Sequence, residues 1–378
     1  MMFLLITGTL SLFLILGYGF LCRFVVNTWK RKDYQLPEEV NVWPSVSLII
    51  VCRNEAVNLP GLLQFLATPG YPADKLEVLL VDDHSEDAGP ELMKQFRDCN
   101  KHLNIKVIQP EASGKKQCLN TAAELASGTW ILCTDGDCRP ESGWIRSMIA
   151  RAITAEAVMV LGPVRLEGRP GFLQRFQQME LSALISLTAA FAFGKKAIMG
   201  NGANLLFKRT AFFEVSMAPA SARHASGDDV YLVQAVKALY GGNAITFNTD
   251  PQAVVSTNPM DTLRELFWQK VRWISKTGPA SSMVSMAIAI LILLVNLMTV
   301  LLMILSVLRP LVLWVLLPYL VLKTLCDRLM IRPVCHITRQ KIPLRSQITA
   351  GLLYPFYLLV IAVLAARGSY YWKGRRLK

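Results

Sequence analysis

Between Trp130 and Arg139 the chain reads Trp-Ile-Leu-Cys-Thr-Asp-Gly-Asp-Cys-Arg, an apolar run that ends in two acids one residue apart, Asp135 and Asp137. In a strand, side chains alternate with period two, so both carboxylates would point to one side. Two acids on one side repel unless a cation or a hydrogen-bond donor lies between them. Hard oxygen ligands of this kind suit Mg²⁺ or Mn²⁺ carrying a diphosphate. The plainer alternative is an Asp-Gly turn closing a hairpin. Other acids stand at comparable places: Glu55 after Arg53-Asn54, Asp82-Asp83 before His84-Ser85, and Asp228-Asp229 after Ser226-Gly227. Either of the last two could equally be an N-cap or first-turn residue of the helical run that follows.

The elements that must hold these acids can be read from the apolar pattern. Ser45–Cys52 is short, β-branched and mostly apolar, the signature of a strand buried on both faces. Leu76–Val81 repeats that signature. Ile105–Ile108 and the run from Trp130 supply two more strands. Helical patterns fall between them: Leu59 to Leu66, Glu91 to Phe96, and a run opened by Gly114-Lys115. Strand and helix alternate, which predicts an α/β fold with a parallel sheet and helices on both faces. Ligands of such sheets bind beyond the carboxyl ends of the strands, where Glu55, Asp83, Asp135 and Asp137 all fall. Farther on, Ala157–Pro163 predicts a strand and Phe172–Phe193 a long helix. Gly200-Asn201-Gly202-Ala203-Asn204 leads into the strand Leu205–Phe207, its glycines allowing either close approach to a ligand or a bulge. A helix opened by Asp261 and running to Lys276 puts Gln269, Arg272 and Trp273 on one face by spacings of three and four. Arg272 and Lys276 also suit a helix grazing a bilayer surface.

Composition adds a membrane. Of 378 residues 53% are hydrophobic, and the apolar excess sits at the two ends, whereas residues 41–256 are ordinary for one globular domain. Phe3–Val26 is long enough to span a bilayer, and Arg23 and Lys30-Arg31-Lys32 follow it. No positive charge precedes the run and no small-residue cleavage site follows it, so it reads as an anchor and not a leader. By the positive-inside tendency the central domain is cytosolic. Met283–Leu308 is a clear span, Pro310–Cys326 a weaker one with Pro318 and Lys323 inside it, and Ile348–Ala366 a third candidate. Asp327–Arg345 and the tail from Arg367 are basic. One span before the domain and three behind it would put that tail outside, against the same tendency, with Pro318 and Pro355 as the expected irregular points. The net charge of +13 fits basic residues facing anionic lipid, and no basic-aromatic nucleic-acid module is visible. The eight cysteines read as reduced, buried thiols and the four histidines are dispersed, so no zinc site is expected.

Taken in order, these motifs resemble those of membrane-bound family 2 glycosyltransferases, inverting enzymes with the nucleotide-diphospho-sugar-binding fold called GT-A. The likeness runs from about Pro44 to Lys276. Val51-Cys52-Arg53-Asn54-Glu55 resembles the opening strand with its Asn-Glu, and Val81 to Ser85 the acidic motif that reads the nucleotide base. Lys115 through Leu119-Asn120 resembles Lys-x-x-Ala-Leu-Asn, with Cys118 for alanine. Asp135-Gly136-Asp137 resembles the metal-binding Asp-x-Asp, and Gly202-Ala203-Asn204 the Gly-Ala-Asn of the acceptor side. Asp228-Asp229 falls where the family carries its base, and Gln269-Lys270-Val271-Arg272-Trp273 matches Gln-x-x-Arg-Trp. That last motif is found in processive polysaccharide synthases and in lipid glycosyltransferases such as ceramide glucosyltransferase. Transferases onto polyprenyl phosphate commonly lack it.

The resemblance implies one sugar transfer of hexosyltransferase type, from a nucleotide-diphospho-sugar, with uridine favoured over guanosine, to a hydroxyl of a lipid or lipid-linked glycan. Asp137 would hold the Mg²⁺ or Mn²⁺, Asp135 the donor ribose or sugar, and Asp82 and Asp83 the base. Glu55 and Asp228 join the substrate-binding set. Lys115 and Arg272 would offset phosphate charge. Asp229 would take the acceptor proton, with Trp273 and Gln269 beside a sugar ring. The domain plan expected is an anchor at 1–26, a basic linker at 27–43, a GT-A domain at 44–257, and an interfacial helix at 258–278. A membrane region at 279–366 and a basic tail at 367–378 complete it. The rivals are a processive polysaccharide synthase, a catalytically inactive nucleotide-binding membrane scaffold, and a nucleotidyltransferase.

Overall fold

The computed structural model describes residues 2–30, 40, 42–169, 171–217, 229–277, 282–366, 370–372 and 375–377. The chain divides into two units, one of residues 33–167 and 191–258, the other of residues 1–32, 168–190 and 259–378.

The first unit is built on a seven-stranded sheet. Its first four strands are β1 (Val46–Cys52), β2 (Leu76–Asp82), β3 (Asn104–Ile108) and β4 (Trp130–Asp135). They are joined through helices α2 (Leu59–Ala67), α3 (Gly89–Cys99) and α4 (Lys115–Leu125). All four run parallel, in the order β3-β2-β1-β4. The chain therefore steps outward from β1 to β3 and then crosses to the other side of β1. That reversal makes a topological switch point between β1 and β4. Every residue of β2 is buried, as are Leu48, Ile49 and Ile50 of β1, which is why these runs are mostly apolar instead of alternating, the buried Glu77 of β2 being paired with Ser47 and Lys106.

The sheet continues through β8 (Leu205–Lys208), antiparallel to β4, then β6 (Met159–Leu161) and β9 (Ile245–Phe247). A second sheet of three short strands, β5 (Arg139–Pro140), β10 (Val255–Thr257) and β7 (Val164–Leu166), lies in the order β5-β10-β7. Helix α5 (Trp144–Thr154) is buried along most of its length. The single strand expected over Ala157–Pro163 is thus shorter. The main sheet keeps only Met159–Leu161, and the chain leaves it at Gly162-Pro163 for β7. Pro163 has no N–H to continue the ladder, and its carbonyl accepts from Asn204 Nδ2 at 2.8 Å.

Asn204 is fully buried and uses its whole amide. Nδ2 also donates to the carbonyl of Ala253 at 2.8 Å, and Oδ1 accepts from Trp144 Nε1 at 2.9 Å. A Cβ on Gly162 would stand 2.2 Å from this side chain. The asparagine of Gly-Ala-Asn therefore ties β8 to α5 and to both sheets.

In the second unit α1 (Met2–Lys30), α10 (Met283–Leu308), α11 (Leu313–Ile337) and α12 (Leu344–Ala366) are long and apolar enough to cross a membrane. Phe13 and Trp314 on their outer faces are 75% and 81% exposed, as lipid-facing side chains would be. The weaker span expected to stop at Cys326 instead continues to Ile337, and much of the basic loop expected from Asp327 is helix. Lys323 pairs with Asp327 one turn on at 2.8 Å, and Tyr18 of α1 donates to Asp327 at 2.6 Å. The pairing removes the charge that would have ended the span. Pro318 and Pro333 lie inside α11 and Pro355 inside α12, which run through them. The remaining helices are α6 (Phe172–Phe193), α7 (Arg209–Met217), α8 (Asp229–Tyr240) and α9 (Leu263–Thr277). Thr262, not Asp261, opens α9 through a capping box with Glu265 at 3.1 and 3.2 Å.

Replacing Asn204 by leucine leaves Trp144 Nε1 and the Ala253 carbonyl without this partner and takes one of two donors from the Pro163 carbonyl, which keeps Val255 N. At about 1–3 kcal/mol for each unpaired buried group, the variant should unfold well below the wild type in a thermal melt, by a larger margin than Asn100→Leu on the surface. Equal melting temperatures would contradict this account of Asn204.

Candidate active site

The registers of the sheet set the height of the acids. Asp82 lies opposite Cys52, and Asp135 opposite Val51, so the acidic ends of β2 and β4 are level with the end of β1. Beyond β1 and β2 the chain makes the same turn twice. Asn54 and His84, each two residues past a strand end, both have φ of 52°, a left-handed conformation that Asn and His tolerate better than most residues. Cross-bonds lock these turns together. Asn54 N donates to Ser85 Oγ at 3.0 Å, Glu86 N to Asn54 Oδ1 at 2.8 Å, and the buried Arg53 donates from Nη1 to the Asp83 carbonyl at 2.7 Å.

Asp82 and Asp83 are both buried. Asp82 accepts from Ser85 N at 3.1 Å and from Gln109 Nε2 at 2.9 Å, and lines a cavity of about 410 Å³ with Ser85, Asp87, Lys94 and Gln109. Asp83 accepts from Gly114 N at 2.6 Å, just before α4. Gly114 has φ of +116°, which a side chain would strain. This contact sets the entry of α4 and delivers Lys115 to the next strand, where its Nζ bonds Asp135 Oδ1.

Gly136 lets the Asp135–Asp137 pair sit against β1. A Cβ there would meet Cys52 Sγ at 2.6 Å and Glu55 Cγ at 3.2 Å. Asp137 Oδ2 accepts from Thr257 Oγ1 of β10 at 3.0 Å. Burial, then the negative charges of Asp135 and Glu55, push the Asp137 carboxyl up from the usual range, while Thr257 and Lys115 act the other way. Glu55 is held from its far side by a chain of amides. Arg139 Nη2 donates to Asn258 Oδ1 at 2.8 Å, Asn258 to Asn58 Oδ1 at 3.0 Å, and Asn58 to Glu55 Oε2 at 2.7 Å.

Asp229 opens α8 and reaches back, its Oδ2 accepting from Gly202 N at 2.6 Å. Both Asp229 Oδ2 and Lys115 Nζ stand 3.6 Å from the point a Gly202 Cβ would occupy. One cationic head thus lies between the acidic pair and Asp229. Burial also raises the neighbouring thiols. Cys118 goes to about 12, with help from Asp83 and Asp82, and Cys133 likewise to about 12, so both are neutral.

The structure thus brings Glu55, Lys115, Asp135, Asp137 and Asp229 together, with Asp82 and Asp83 alongside. Asp228 lies outside the described residues. Gln269, Arg272 and Trp273 are on α9, in the second unit. Thr257, Asn258, Asn58 and Gln109 were not singled out in the sequence. Thr257 and Asn258 sit at the end of a three-residue strand too short to show a period, and no local signal marks them.

Among the described residues no three His, Cys, Asp or Glu side chains form a cluster that could hold a metal alone. Mg²⁺ and Mn²⁺ sites of nucleotide enzymes do not need one, because substrate phosphates complete the shell of one or two carboxylates. A half-buried Asp137 whose ionisation is opposed by two neighbouring acids fits a divalent cation.

Comparison with known proteins agrees with this geometry. The family model described as glycosyl transferase family 2 matches residues 47–215. Glycosyltransferase AglE of Haloferax volcanii is 28% identical over 234 residues, 61% of this chain and 71% of that protein. Undecaprenyl-phosphate 4-deoxy-4-formamido-L-arabinose transferase of Salmonella choleraesuis is 28% identical over 156 residues, 41% of this chain and 47% of that protein. The solved mannosyltransferase PcManGT of Pyrobaculum calidifontis, in complex with GDP-Man and Mn²⁺, superposes with a TM-score of 0.55 at 17% identity. It covers 95% of this chain and 99% of that one, which is a likeness of fold. Residues 47–215 thus carry a glycosyl transferase family 2 domain with a GT-A fold, and among the described residues four helices are long and apolar enough to cross a membrane.

Gly136→Ala tests the packing of the acidic pair. The added methyl must push Asp135 and Asp137 off β1, and a shift near 1 Å at reacting groups can cost about 10²-fold. Turnover of a nucleotide sugar should fall on that scale with little change in melting temperature. An alanine variant of wild-type activity would contradict the packing argument.

Proposed function

We propose that the protein is an inverting glycosyltransferase that moves a sugar from a nucleotide-diphospho-sugar to a hydroxyl of a lipid or lipid-linked glycan, at the cytosolic face of a membrane. The observation that carries this reading is the convergence of Glu55, Asp135, Asp137, Lys115 and Asp229 at the β1/β4 switch point. The membrane side follows from the basic residues after α1, and the catalytic domain is taken as the stretch 44–257.

In this reading Asp137, with Thr257 behind it, is the ligand of a Mg²⁺ or Mn²⁺ ion, and Asp135 holds the donor ribose or sugar. When bound, the cation supplies charge neutralisation at the diphosphate leaving group. Lys115 adds a second positive charge there as a mobile point charge. Asp82 and Asp83 face the base. The resemblance favours uridine, while the similar fold was solved with GDP-Man.

Asp229 removes the acceptor proton as the hydroxyl oxygen bonds to the anomeric carbon and the diphosphate departs from the opposite face. Its Oδ2 accepts from Gly202 N and its Oδ1 from Val230 N at 3.1 Å, which hold the carboxylate in place. Arg272 offsets phosphate charge, Trp273 and Gln269 contact the acceptor, and Asp228 assists substrate binding. The relative that acts on undecaprenyl phosphate points to a phosphate acceptor instead. A phosphate oxygen needs no base, so Asp229 separates the two cases.

The test uses purified protein in nanodiscs, a panel of UDP- and GDP-sugars, Mn²⁺, and diacylglycerol or undecaprenyl phosphate as acceptor probes. A positioned carboxylate base is worth on the order of 10²–10⁴-fold. Asp229→Asn keeps the bond from Gly202 N yet cannot take a proton. It should lose transfer to diacylglycerol on that scale while UDP or GDP affinity stays within about twofold, well inside the tenfold that 1.4 kcal/mol represents. Near wild-type transfer by Asp229→Asn, or transfer to undecaprenyl phosphate alone, would overturn the hydroxyl-acceptor reading.

A further inference from the structure

Between Gln269 and Arg272 on α9 stands Lys270, a side chain given no part so far. It is 7% exposed. Its Nζ lies 2.7 Å from Glu180 Oε2 on α6 and 4.0 Å from the centroid of the Trp273 ring. Glu180 is buried as well, its side chain 8% exposed, and its two oxygens accept from Tyr354 and Tyr357 of α12, each at 3.4 Å. Those tyrosines pack on an aromatic wall. Tyr357 meets Phe176 edge-on at 5.0 Å and Phe267 at 5.5 Å, and Tyr354 lies 5.8 Å from Phe176. Lys270, Glu180 and Trp273 all belong to the second unit.

A buried ion pair is a poor source of stability. Desolvating two charges consumes most of their attraction, and apolar replacements of similar volume are often neutral or stabilising. An apolar pair would have served this core at least as well, since Leu266, Ile331 and Ile361 already line it. What an apolar pair cannot do is direct a cation. Residues three apart on a helix share a face, and here the ammonium sits over the indole while its other side is held by Glu180. A cation over an aromatic face is attracted by the ring quadrupole. That attraction, with the ion pair as anchor, selects one orientation of Trp273.

We infer that Lys270 and Glu180 are positioning residues for the Gln-x-x-Arg-Trp motif. Glu180, tied by Tyr354 and Tyr357 to a membrane-crossing helix, holds Lys270, and Lys270 fixes the Trp273 indole by covering one of its faces. This inference rests on the acceptor role assigned to Trp273 above. It adds that the orientation of the motif is set from the membrane helices.

The experiment uses full-length protein in nanodiscs labelled with 5-fluorotryptophan, the Trp273 resonance being assigned by its loss in Trp273→Phe. Lys270→Met keeps the length of the side chain and removes the charge. Glu180→Gln keeps one tyrosine acceptor and removes the negative charge of the pair. Lys270→Arg keeps the charge. Trp273 should shift or broaden in the first two variants and return in Lys270→Arg. With the nucleotide sugar that the wild type turns over, kcat should fall about tenfold or more, the scale of a displaced positioning group. Donor KM should hold, and Lys270→Arg should recover most of the loss.

Lys270→Met and Glu180→Gln each leave one buried charge without its partner and should melt below the wild type, so kcat and the resonance are read well below both melts. A wild-type Trp273 resonance and kcat in folded Lys270→Met or Glu180→Gln would overturn the inference. So would a loss that Lys270→Arg fails to restore. If the wild type turned over no nucleotide sugar, the transferase reading itself would fall, while the resonance would still decide whether the pair orients Trp273.

Discussion

The repulsion between carboxylates at the end of one parallel sheet is the constraint on which the rest of the first unit depends. Asp135, Asp137 and Glu55 are brought to one edge by strand register and by the absence of a side chain at Gly136. Left alone, such a cluster would spread or take up protons, as the raised Asp137 carboxyl records. The fold answers with Lys115, delivered by an α4 whose first turn is tied to Asp83. The amide relay from Arg139 restrains Glu55, and Thr257 restrains Asp137. Donors thus hold the acids in place without neutralising them all, which leaves negative charge for a divalent cation and a diphosphate to complete.

The remaining architecture can be read as support for that edge. A central β1 buried on both faces has little freedom to slip, because a one-residue shift would exchange the side chains of its two packed faces. Asn204 plays a corresponding part on the far side, where one buried amide joins β8, α5 and the turn between β6 and β7. Among the described residues of the second unit, buried charges again have company. Lys323 has Asp327 and Tyr18, and Lys270 has Glu180 and two tyrosines. The same rule of paired burial serves two ends, joining membrane helices in one case and orienting a tryptophan in the other.

How much of this was legible depended on length and periodicity. β1, β2 and β4 are mostly apolar strands of six or seven residues, and such runs announce a parallel core without help from context. Asp135, Asp137, Asp82, Asp83 and Glu55 were legible because each follows such a run. β5, β7 and β10 have two or three residues each, below the length at which a period exists, so Thr257 and Asn258 could not be found from the sequence. The extension of α11 past Asp327 was hidden for another reason. An acid reads as the end of a span until its partners, here Lys323 and a tyrosine over 300 residues away in sequence, are known. The role of Lys270 was hidden in the same way, since its partner Glu180 lies on another helix, 90 residues away in sequence.

The most direct test of the central claim is the binding of Mn²⁺ to purified protein, titrated with and without UDP or GDP. If the acidic edge holds a cation that substrate phosphates complete, metal and nucleotide must strengthen each other's binding by the same factor. The account predicts a mutual gain of about tenfold or more, the 1–3 kcal/mol typical of such coupling, and its loss in Asp137→Ala. Mn²⁺ that binds equally well without nucleotide, or a coupling untouched by Asp137→Ala, would contradict it.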